Sequence, residues 1–455
     1  MRDFLPRDVR KRNYVIGVIK EVYESYGFEP LETPSVENLE TLMGKYGEEG
    51  NQLIFRILKR GEKLDITKGE SGLSDLALRY DLTVPLARVV ANNRNDLPKF
   101  FKRYQIQPVW RADRPARGRY REFYQCDVDA IGSTSMIVEA ELISAVCEIL
   151  TRLGFEDFAV NINHRLLLQA ILDDCSVAAD KHSVALVAID KLDKIGIDGV
   201  RAELITRDVS EQSENELIEF FTKDSVGNAY RAAAKLDANI QISIIEILEK
   251  VFGDLESGQR SVADLANIVM YLDDRFVQKV RVNPSLARGL SYYTGAIFEI
   301  TVPDLAGSLG GGGRYDGLIG MFGKEQIPAC GFSLGLERIL VVMEERGMFP
   351  PEIASGPADV LVSLWNDETA GESLKLAAEL RVAGVRVLVY PEADKLGKQF
   401  KYAAQIGIKY ICILGESEIA EAAVTVKDLE SGEQATVLRT KIAEFFELRA
   451  KSCEL

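Results

Sequence analysis

Two strand-forming segments separated by a long basic loop constrain the fold of this chain more than any other feature. Residues 99–122 contain eight Lys or Arg against two acidic residues, in a chain whose net charge is −15. Apolar and aromatic residues such as Tyr104 and Val109 precede a loop that carries Pro115 and Gly118, and FYQCDVDAIG follows it. This pattern predicts two β-strands joined by a basic loop at the mouth of a packed sheet. The loop is expected to bind anions, and a solvated charged hairpin is the alternative.

Length and composition indicate a multidomain globular protein. At roughly 150 residues per domain, 455 residues correspond to about three domains. The chain is 47% hydrophobic and 27% charged, with no long biased tract, which is typical of folded domains. No apolar run approaches the ~18 residues of a membrane span, and the N-terminus leads into an amphipathic helix. We therefore expect a soluble cytoplasmic protein with no membrane contact.

The charge and the rarity of two residue types exclude several classes of function. The acidic total disfavours a protein that coats nucleic acid without selectivity, since such binding depends on Lys and Arg, but it permits a local basic groove. The six cysteines form no C-x-x-C pair, so neither a zinc ribbon nor a disulfide framework is predicted. Only His164 and His182 are present, which argues against a His-based metal site or catalytic triad.

The sequence predicts an α+β fold with a separate α/β domain at its C-terminus. A large, mainly antiparallel domain is expected over residues 1–345, interrupted by an acidic helical insertion at 166–280. A Pro- and Gly-containing linker at 346–357 leads to a domain over 358–455 in which strands alternate with helices.

Eight glycines between residues 307 and 323 form a second unusual segment. Such a run would let the backbone approach a ligand closely. It lacks both the G-K-[ST] of a P-loop and the spacing of a dinucleotide fingerprint. A ligand-contacting segment and a flexible hairpin both remain open at this point.

Arginines in three separated segments are the best candidates for chemistry: Arg111, Arg288 and Arg338. Together with nearby carboxylates and tyrosines, such a set suits a polyphosphate and a small zwitterion. Chemistry at phosphorus depends mainly on positioning and on charge neutralisation by Arg and Mg²⁺, so no protein nucleophile is required.

Several motifs together resemble the histidyl-tRNA synthetase family of class II aminoacyl-tRNA synthetases. GFEPLETPSVE is similar to class II motif 1, VWRADRPARGRYREFYQCDVDAIG to motif 2 and GFSLGLERIL to motif 3, while LARGLSYYTGAIFE and GGGGRYDGL resemble the histidine-specific signatures. The resemblance implies an antiparallel catalytic sheet flanked by helices, a helical insertion and an α/β anticodon-binding domain. It also implies a homodimer, with motif 1 around Pro34 at the interface.

The activity implied is the reaction of L-histidine with ATP to give histidyl-adenylate and pyrophosphate, followed by transfer of histidine to the 3′ end of tRNA(His). By resemblance, Arg111 would hold the ATP α-phosphate and Arg338 the γ-phosphate, with Mg²⁺ as cofactor. Asp113 and Arg119 would position ATP and the tRNA acceptor end. Arg288 would contact the α-phosphate and the histidine carboxylate.

The resemblance also implies which residues would bind histidine. Asp81 and Thr83 would hold its α-amino group, Gln125 would contact the amino acid, and Asp129 and Tyr293 would recognise the imidazole. The remaining members of the expected pocket are Tyr292 and the glycines of the run, including Gly311 and Gly312. Two polar partners for the ring would exclude amino acids without ring nitrogens, because those leave buried polar groups unpaired.

Two departures from the family pattern and one alternative function accompany this interpretation. Ser291 stands where the family signature commonly has Asp, and LRYDLT with CDVD resembles the eukaryotic-like form of the family. The alternative is a non-catalytic histidine-sensing paralogue that resembles the regulatory subunit of ATP phosphoribosyltransferase. That paralogue lacks the C-terminal domain and tends to lose the arginines, whereas both are present in this chain.

Overall fold

A computed structural model describes residues 1–222, 238–287, 292–354 and 356–451. The chain divides into two compact units, Met1–Met348 and Phe349–Leu455. Each unit is built around its own sheet.

The strands and helices of the described residues are numbered in chain order. The strands are β1 Glu29–Pro30, β2 Val36–Asn38, β3 Arg56–Leu58, β4 Ser74–Leu78, β5 Phe101–Trp110, β6 Glu122–Ile131, β7 Ala159–His164, β8 Val280–Val282, β9 Ala296–Thr301, β10 Ser308–Arg314, β11 Ala329–Gly335, β12 Val360–Val362, β13 Val387–Val389, β14 Tyr410–Ile413, β15 Ala423–Asp428 and β16 Gln434–Leu438. The α-helices are α1 Pro6–Ser25, α2 Leu39–Leu42, α3 Gly47–Gln52, α4 Glu70–Leu73, α5 Thr83–Asn92, α6 Ile137–Arg152, α7 Arg165–Asp174, α8 His182–Ile189, α9 Leu192–Thr206, α10 Glu211–Thr222, α11 Ala238–Phe252, α12 Glu256–Tyr271, α13 Leu336–Glu345, α14 Pro351–Ala354, α15 Ala370–Val382, α16 Leu396–Gln405, α17 Glu416–Ala420 and α18 Ile442–Lys451.

The first unit contains an eight-stranded sheet in the order β1-β5-β6-β11-β10-β9-β7-β8. The five inner strand pairs, from β5–β6 to β9–β7, are antiparallel, and only the edge pairs β1–β5 and β7–β8 are parallel. The predicted strand pair is confirmed, because β5 and β6 pair along their whole length, from Phe101 with Ile131 to Trp110 with Glu122. A small sheet in the order β2-β4-β3 completes the unit.

The two faces of the large sheet differ in chemistry because successive strand residues point to opposite sides. One face is apolar: Tyr104, Val128 and Phe332 are paired across β5, β6 and β11. Helices α1, α6 and α13 pack in this region, and the Tyr23 ring of α1 lies 5.9 Å from the Tyr104 ring. The opposite face is polar, since Gln105 pairs with Asp127 and Asp127 with Ser333.

Gly310 to Gly313 of the glycine run lie in the inner strand β10, between β9 and β11, so this part of the run is not a flexible hairpin. A side chain there would collide with neighbours: a Cβ at Gly313 would lie 3.0 Å from Tyr293 Cδ1. On β11, a Cβ at Gly331 would overlap the Asp129 carboxylate. The glycines therefore keep space over the polar face for larger side chains.

Helices fill the segment after β7, as the sequence predicts. Helices α7 to α12 occupy most of residues 165–271, although residues 223–237 lie outside the described part of the chain. Helix α12 packs against α7 and β7, so the segment is anchored to the large sheet. His164 ends β7 as a buried structural residue, because its Nδ1 accepts the Leu166 N–H at the start of α7.

The second unit is an α/β domain with a mixed sheet in the order β13-β12-β14-β15-β16. Strands β13, β12 and β14 are parallel, and β14, β15 and β16 are antiparallel. Alternate residues of β12 enter two different cores, Val360 and Val362 on one side and Leu361 on the other. Among the described helices of either unit, none is long and apolar enough to cross a membrane.

Candidate active site

A cavity of about 680 Å³ opens over the polar face of the large sheet. Ten of the residues singled out in the sequence line its wall, although they come from five separate stretches of the chain. They are Asp81, Thr83, Arg111, Asp113, Arg119, Gln125, Tyr292, Tyr293, Gly311 and Arg338. The fold therefore assembles most of the predicted site in one place.

Two other predicted residues, Asp129 and Gly312, do not line this wall, and a third lies outside the described residues. Asp129 is 2% exposed and lies beneath the cavity, in an ion pair with Arg103. Gly312 pairs with Phe332, in a row of the apolar face. Arg288 lies outside the described residues, as does Ser291.

Arg111 sits directly after β5, at the start of the basic loop. Its Nε donates to the Tyr80 carbonyl oxygen over 3.1 Å, and its guanidinium carbon lies 4.2 Å from the centre of the Tyr80 ring and 5.2 Å from that of Phe123. Stacking between two rings fixes the plane of the guanidinium without neutralising its charge. Arg111 therefore presents an oriented positive charge to the cavity.

The rest of the basic loop is exposed at many positions but is held by side-chain contacts. Arg119 makes two hydrogen bonds, of 2.9 and 3.0 Å, to the two carboxylate oxygens of Asp113. Arg117 pairs with Glu345 at the end of α13 and donates to the Asp304 carbonyl oxygen. Gly118, with φ of +67°, packs closely against the Arg338 side chain.

Arg338 enters the cavity from the first turn of α13. Its Nη1 donates to the Ser308 carbonyl oxygen at the start of the glycine strand. Glu337 precedes it, also lines the cavity and accepts the Tyr124 N–H on both carboxylate oxygens. Burial is the main reason that the pKa of Glu337 rises to about 7.

Asp81 lies two residues before the start of α5 and is 1% exposed. Its Oδ1 accepts the Tyr46 hydroxyl and the Val84 N–H, both over 3.0 Å, and its Oδ2 accepts the Tyr292 hydroxyl over 3.3 Å. Burial raises the pKa of this carboxyl, while the hydrogen bond from Val84 and the charge of Arg111 lower it. Asp81 is thus held rigidly at the cavity wall.

Two carboxylates and one guanidinium form the floor beneath the cavity. Arg103 and Asp129 are directly paired on β5 and β6, and their side chains form an ion pair of 2.8 Å. The Tyr315 hydroxyl donates to Asp129. Asp127 lies two residues before Asp129, on the same face of β6. Burial raises the pKa of Asp127 to about 7, against the lowering effect of Arg103, and it raises the pKa of Asp129 too.

Sequence reasoning missed several residues of this region. The two-residue repeat of β-strands could have identified Asp127, since it shares a strand face with Gln125 and Asp129. The same repeat applies to Arg103 on β5. Glu337 had no signal beyond its place before Arg338. The cavity is also lined by Asp190 and Lys194, which the helical segment supplies, and no local pattern indicates that contribution.

This arrangement can bind a polyanion beside a small zwitterion. Guanidinium groups on one side suit phosphate oxygens, and a rigid carboxylate with tyrosines suits an ammonium group. In the described part of the chain, no cluster of three or more His, Cys, Asp or Glu residues could hold a metal by itself.

Comparison with known families covers nearly the whole chain. A family model described as histidyl-tRNA synthetase matches residues 1–339, and one described as anticodon binding domain matches residues 359–449. A histidine–tRNA ligase of Christiangramia forsetii is 41% identical over 451 residues, which is 96% of this chain and 95% of the relative. One of Porphyromonas gingivalis is 42% identical, with 95% of each chain covered.

Solved structures agree with these matches. The histidyl-tRNA synthetase of Nostoc sp. PCC 7120 has 32% identity and a TM-score of 0.79, and covers 98% of this chain and 97% of its own. A Bacillus halodurans structure described as an ATP phosphoribosyltransferase regulatory subunit/histidyl-tRNA synthetase has 23% identity and a TM-score of 0.69, covering 91% of this chain and 97% of its own. At that identity it shows a shared fold only.

Proposed function

This chain belongs to the histidyl-tRNA synthetase family, and we propose from that membership how its own residues carry out the reaction. Its activity is that of an aminoacyl-tRNA ligase, which joins histidine to tRNA. The observation that carries the proposal is the single cavity wall on which Arg111, Arg338 and Asp81 meet. We propose that ATP and L-histidine react there to give histidyl-adenylate and pyrophosphate, and that histidine then passes to the 3′ end of tRNA(His).

The arginines divide the phosphates of ATP between them. The stacked guanidinium of Arg111 contacts the α-phosphate, where negative charge builds up as the carboxylate attacks. Arg338 contacts the γ-phosphate, and Arg119 with Asp113 positions the nucleotide and the acceptor end. Arg288 is expected beside the α-phosphate and the histidine carboxylate, by resemblance alone.

The tyrosines and carboxylates on the other side of the cavity receive histidine. Asp81 and Thr83 bind the α-ammonium group, for which the rigid, hydrogen-bonded carboxylate of Asp81 is suited. Tyr293 is a cavity residue that faces the ring, and Tyr292 holds Asp81 in place. Asp129, which its ion pair with Arg103 holds in place, recognises the imidazole from beneath the cavity wall.

The residues present fit a Mg²⁺ ion that arrives with ATP. Glu337 is the carboxylate beside Arg338 on the cavity wall, and Mg²⁺ commonly uses one or two carboxylates together with phosphate oxygens and waters. Such an ion would neutralise charge on the leaving pyrophosphate. Glu337 is therefore our candidate ligand.

The remaining assignments concern partners and location. We propose that residues 358–455, which contain the match to an anticodon-binding domain, bind the anticodon of tRNA(His). We also propose that the chain forms a homodimer through motif 1 around Pro34. Its proposed location is the cytoplasm, where both tRNA and ATP are present.

ATP–pyrophosphate exchange, measured against all twenty amino acids, tests this function. We expect exchange with histidine alone, because no other standard amino acid supplies two ring nitrogens to the polar floor. Exchange with another amino acid would reject the specificity. Histidine binding without any exchange would favour the sensor paralogue.

A further inference from the structure

Arginines and aromatic rings alternate along a line that joins the segment before α1 to the basic loop. The Arg2 guanidinium carbon lies 4.3 Å from the centre of the Tyr120 ring and 4.5 Å from that of Phe4. The Arg12 guanidinium carbon lies 4.7 Å from the centre of the Phe4 ring and 4.9 Å from that of Tyr124. Such contacts between a cation and a ring face are attractive. We call these five residues the ladder.

Hydrogen bonds fix both ends of the segment that carries Arg2. The Arg2 Nη1 donates to the Tyr120 hydroxyl over 3.1 Å, in addition to lying over its ring. The Leu5 N–H donates to the Asp8 carboxylate in the first turn of α1 over 3.2 Å. Helix α1 packs in turn against α6 and α13. The ladder therefore connects the basic loop to a fixed part of the molecule.

The ladder reaches the cavity at the point where the basic loop enters β6. Tyr124 alternates with Gln125, whose side chain lines the cavity, so Tyr124 lies on the α1 side of the sheet. Tyr120 precedes β6 and lines the cavity itself, next to Arg119 in the sequence. The ladder thus passes around the end of β6, from helix α1 to the cavity wall.

The composition of the basic loop explains why it needs such support. Four arginines and no acidic residue lie between positions 114 and 121, and their mutual repulsion disfavours a compact loop. The ion pair of Arg117 with Glu345 holds one part of the loop, and the ladder holds the part next to β6. Contacts that keep a loop in one conformation reduce the entropy that is lost when a ligand binds to it.

Building on the proposed function, in which the basic loop positions ATP, we propose that Arg2, Phe4 and Arg12 are positioning residues that hold this loop in the conformation that receives ATP. They act through Tyr120 and touch no substrate themselves. A loop that is free to leave this conformation binds ATP more weakly, in proportion to the fraction of molecules that retain it. Asp81 and the rest of the histidine pocket make no contact with the ladder among the described residues, so histidine binding should not change.

Four variants separate this role from a general effect of charge or folding. Phe4→Ala removes the ring that both guanidiniums contact and changes no charge, whereas Phe4→Tyr keeps the ring. Arg2→Ala removes the contacts with Tyr120. Arg7→Ala is its matched control, because it removes one positive charge from an exposed position in the first turn of α1.

The first measurement is ATP–pyrophosphate exchange with L-histidine. We expect Phe4→Ala and Arg2→Ala to raise the KM for ATP about fivefold, the change expected for the loss of one or two contacts between a cation and a ring. The KM for histidine, kcat at saturating ATP and the melting temperature should stay nearly unchanged. Phe4→Tyr and Arg7→Ala should behave like the parent protein.

The second measurement is limited proteolysis by trypsin, which cleaves after arginine and needs no assay of activity. The loop offers Arg117, Arg119 and Arg121 as cleavage sites. Cleavage within the loop should be about fivefold faster in Phe4→Ala and Arg2→Ala, because the loop opens more often. The concentration of ATP that protects half of the loop should rise by the same factor in both variants.

Each other result counts against the proposal. An unchanged KM for ATP in Phe4→Ala and Arg2→Ala overturns it, even if cleavage is faster. An equal rise in the KM for histidine together with a lower melting temperature assigns the ladder to folding instead, and an equal change in Arg7→Ala assigns the effect to net charge. The parent protein is assayed first. Absence of histidine-dependent exchange there rejects the proposed function, and protection of the loop by ATP then still decides whether the ladder positions it.

Discussion

The wall and the floor of the cavity use charge in opposite ways. On the wall, Arg111 is held by a carbonyl oxygen and two rings, none of which cancels its charge. On the floor, Arg103 is fully buried and its charge is taken up by an ion pair with Asp129. The charge of Arg111, which would meet an incoming polyanion, stays accessible. The charge of Arg103, which holds other groups in place, is buried and ion-paired. The comparison predicts that substitutions on the floor affect folding and those on the wall affect chemistry.

The largest effect is expected from Arg103→Ala on the floor. Removal of this guanidinium leaves Asp127 and Asp129 buried without their counter-charge, so the free energy of unfolding should fall by about 3–5 kcal/mol at neutral pH. Arg103 lowers the pKa of both carboxyls, which burial raises, and in its absence they hold protons to a still higher pH. The loss should therefore be larger at pH 8 than at pH 5, where Asp127 is mostly protonated.

Urea denaturation at the two pH values measures this effect. The double variant Arg103→Met with Asp129→Asn is the matched control, because it removes both charges and should recover part of the stability. If the Arg103→Ala protein is as stable as the parent, the distinction between floor residues that support folding and wall residues that support chemistry is wrong.

Arg111→Ala on the wall should give the next largest effect, and in a different quantity. Loss of an oriented charge at the reacting phosphate should reduce kcat for histidine-dependent pyrophosphate exchange by about 10²–10³-fold. The free energy of unfolding should change less than in Arg103→Ala, since Asp81, the buried carboxylate that Arg111 influences, keeps its hydrogen bonds from Tyr46, Val84 and Tyr292. Arg111→Lys serves as control, because it keeps the charge and loses the planar stack. A large loss of stability without loss of exchange would contradict the assignment.

Arg117→Ala should have the smallest effect. Its side chain is 44% exposed and its partner Glu345 is 48% exposed, so the pair should contribute less than about 1 kcal/mol to stability. If the basic loop contacts the acceptor end of tRNA, the slope of log binding constant against log salt concentration should decrease by the amount expected for about one phosphate contact. The exposed pair Lys375–Glu372 of the second unit provides the control, as Lys375→Ala. An unchanged salt slope would assign the loop to ATP alone.

The sequence predicts those parts of this site that depend on local patterns. The β5–β6 pair follows from alternating apolar residues around a turn, and the motifs lead to Arg111 and Arg338. The place of the glycine run in the middle of a sheet could not be predicted, because glycine itself disfavours strands and the neighbours that leave no room for a side chain, such as Tyr293 beside Gly313, come from other segments.

Contacts between distant segments are the other part that local reasoning does not reach. The ion pair of Asp129 with Arg103 depends on the register of two strands, which the length of the basic loop does not determine. The approach of Lys194 to the cavity depends on the packing of helices that carry no motif. Both are set by tertiary structure, where pairing across the sheet and helix packing decide the neighbours.

The glycines of β10 and β11 have a consequence for how this protein can change over generations. At Gly331, even the smallest possible addition, a methyl group, meets the carboxylate of Asp129. A pocket bounded by bulky side chains can be widened or narrowed one substitution at a time, but here the boundary is main chain. Variation in amino acid preference would then have to begin at the surrounding tyrosines and carboxylates, while the glycine strands remain a fixed template.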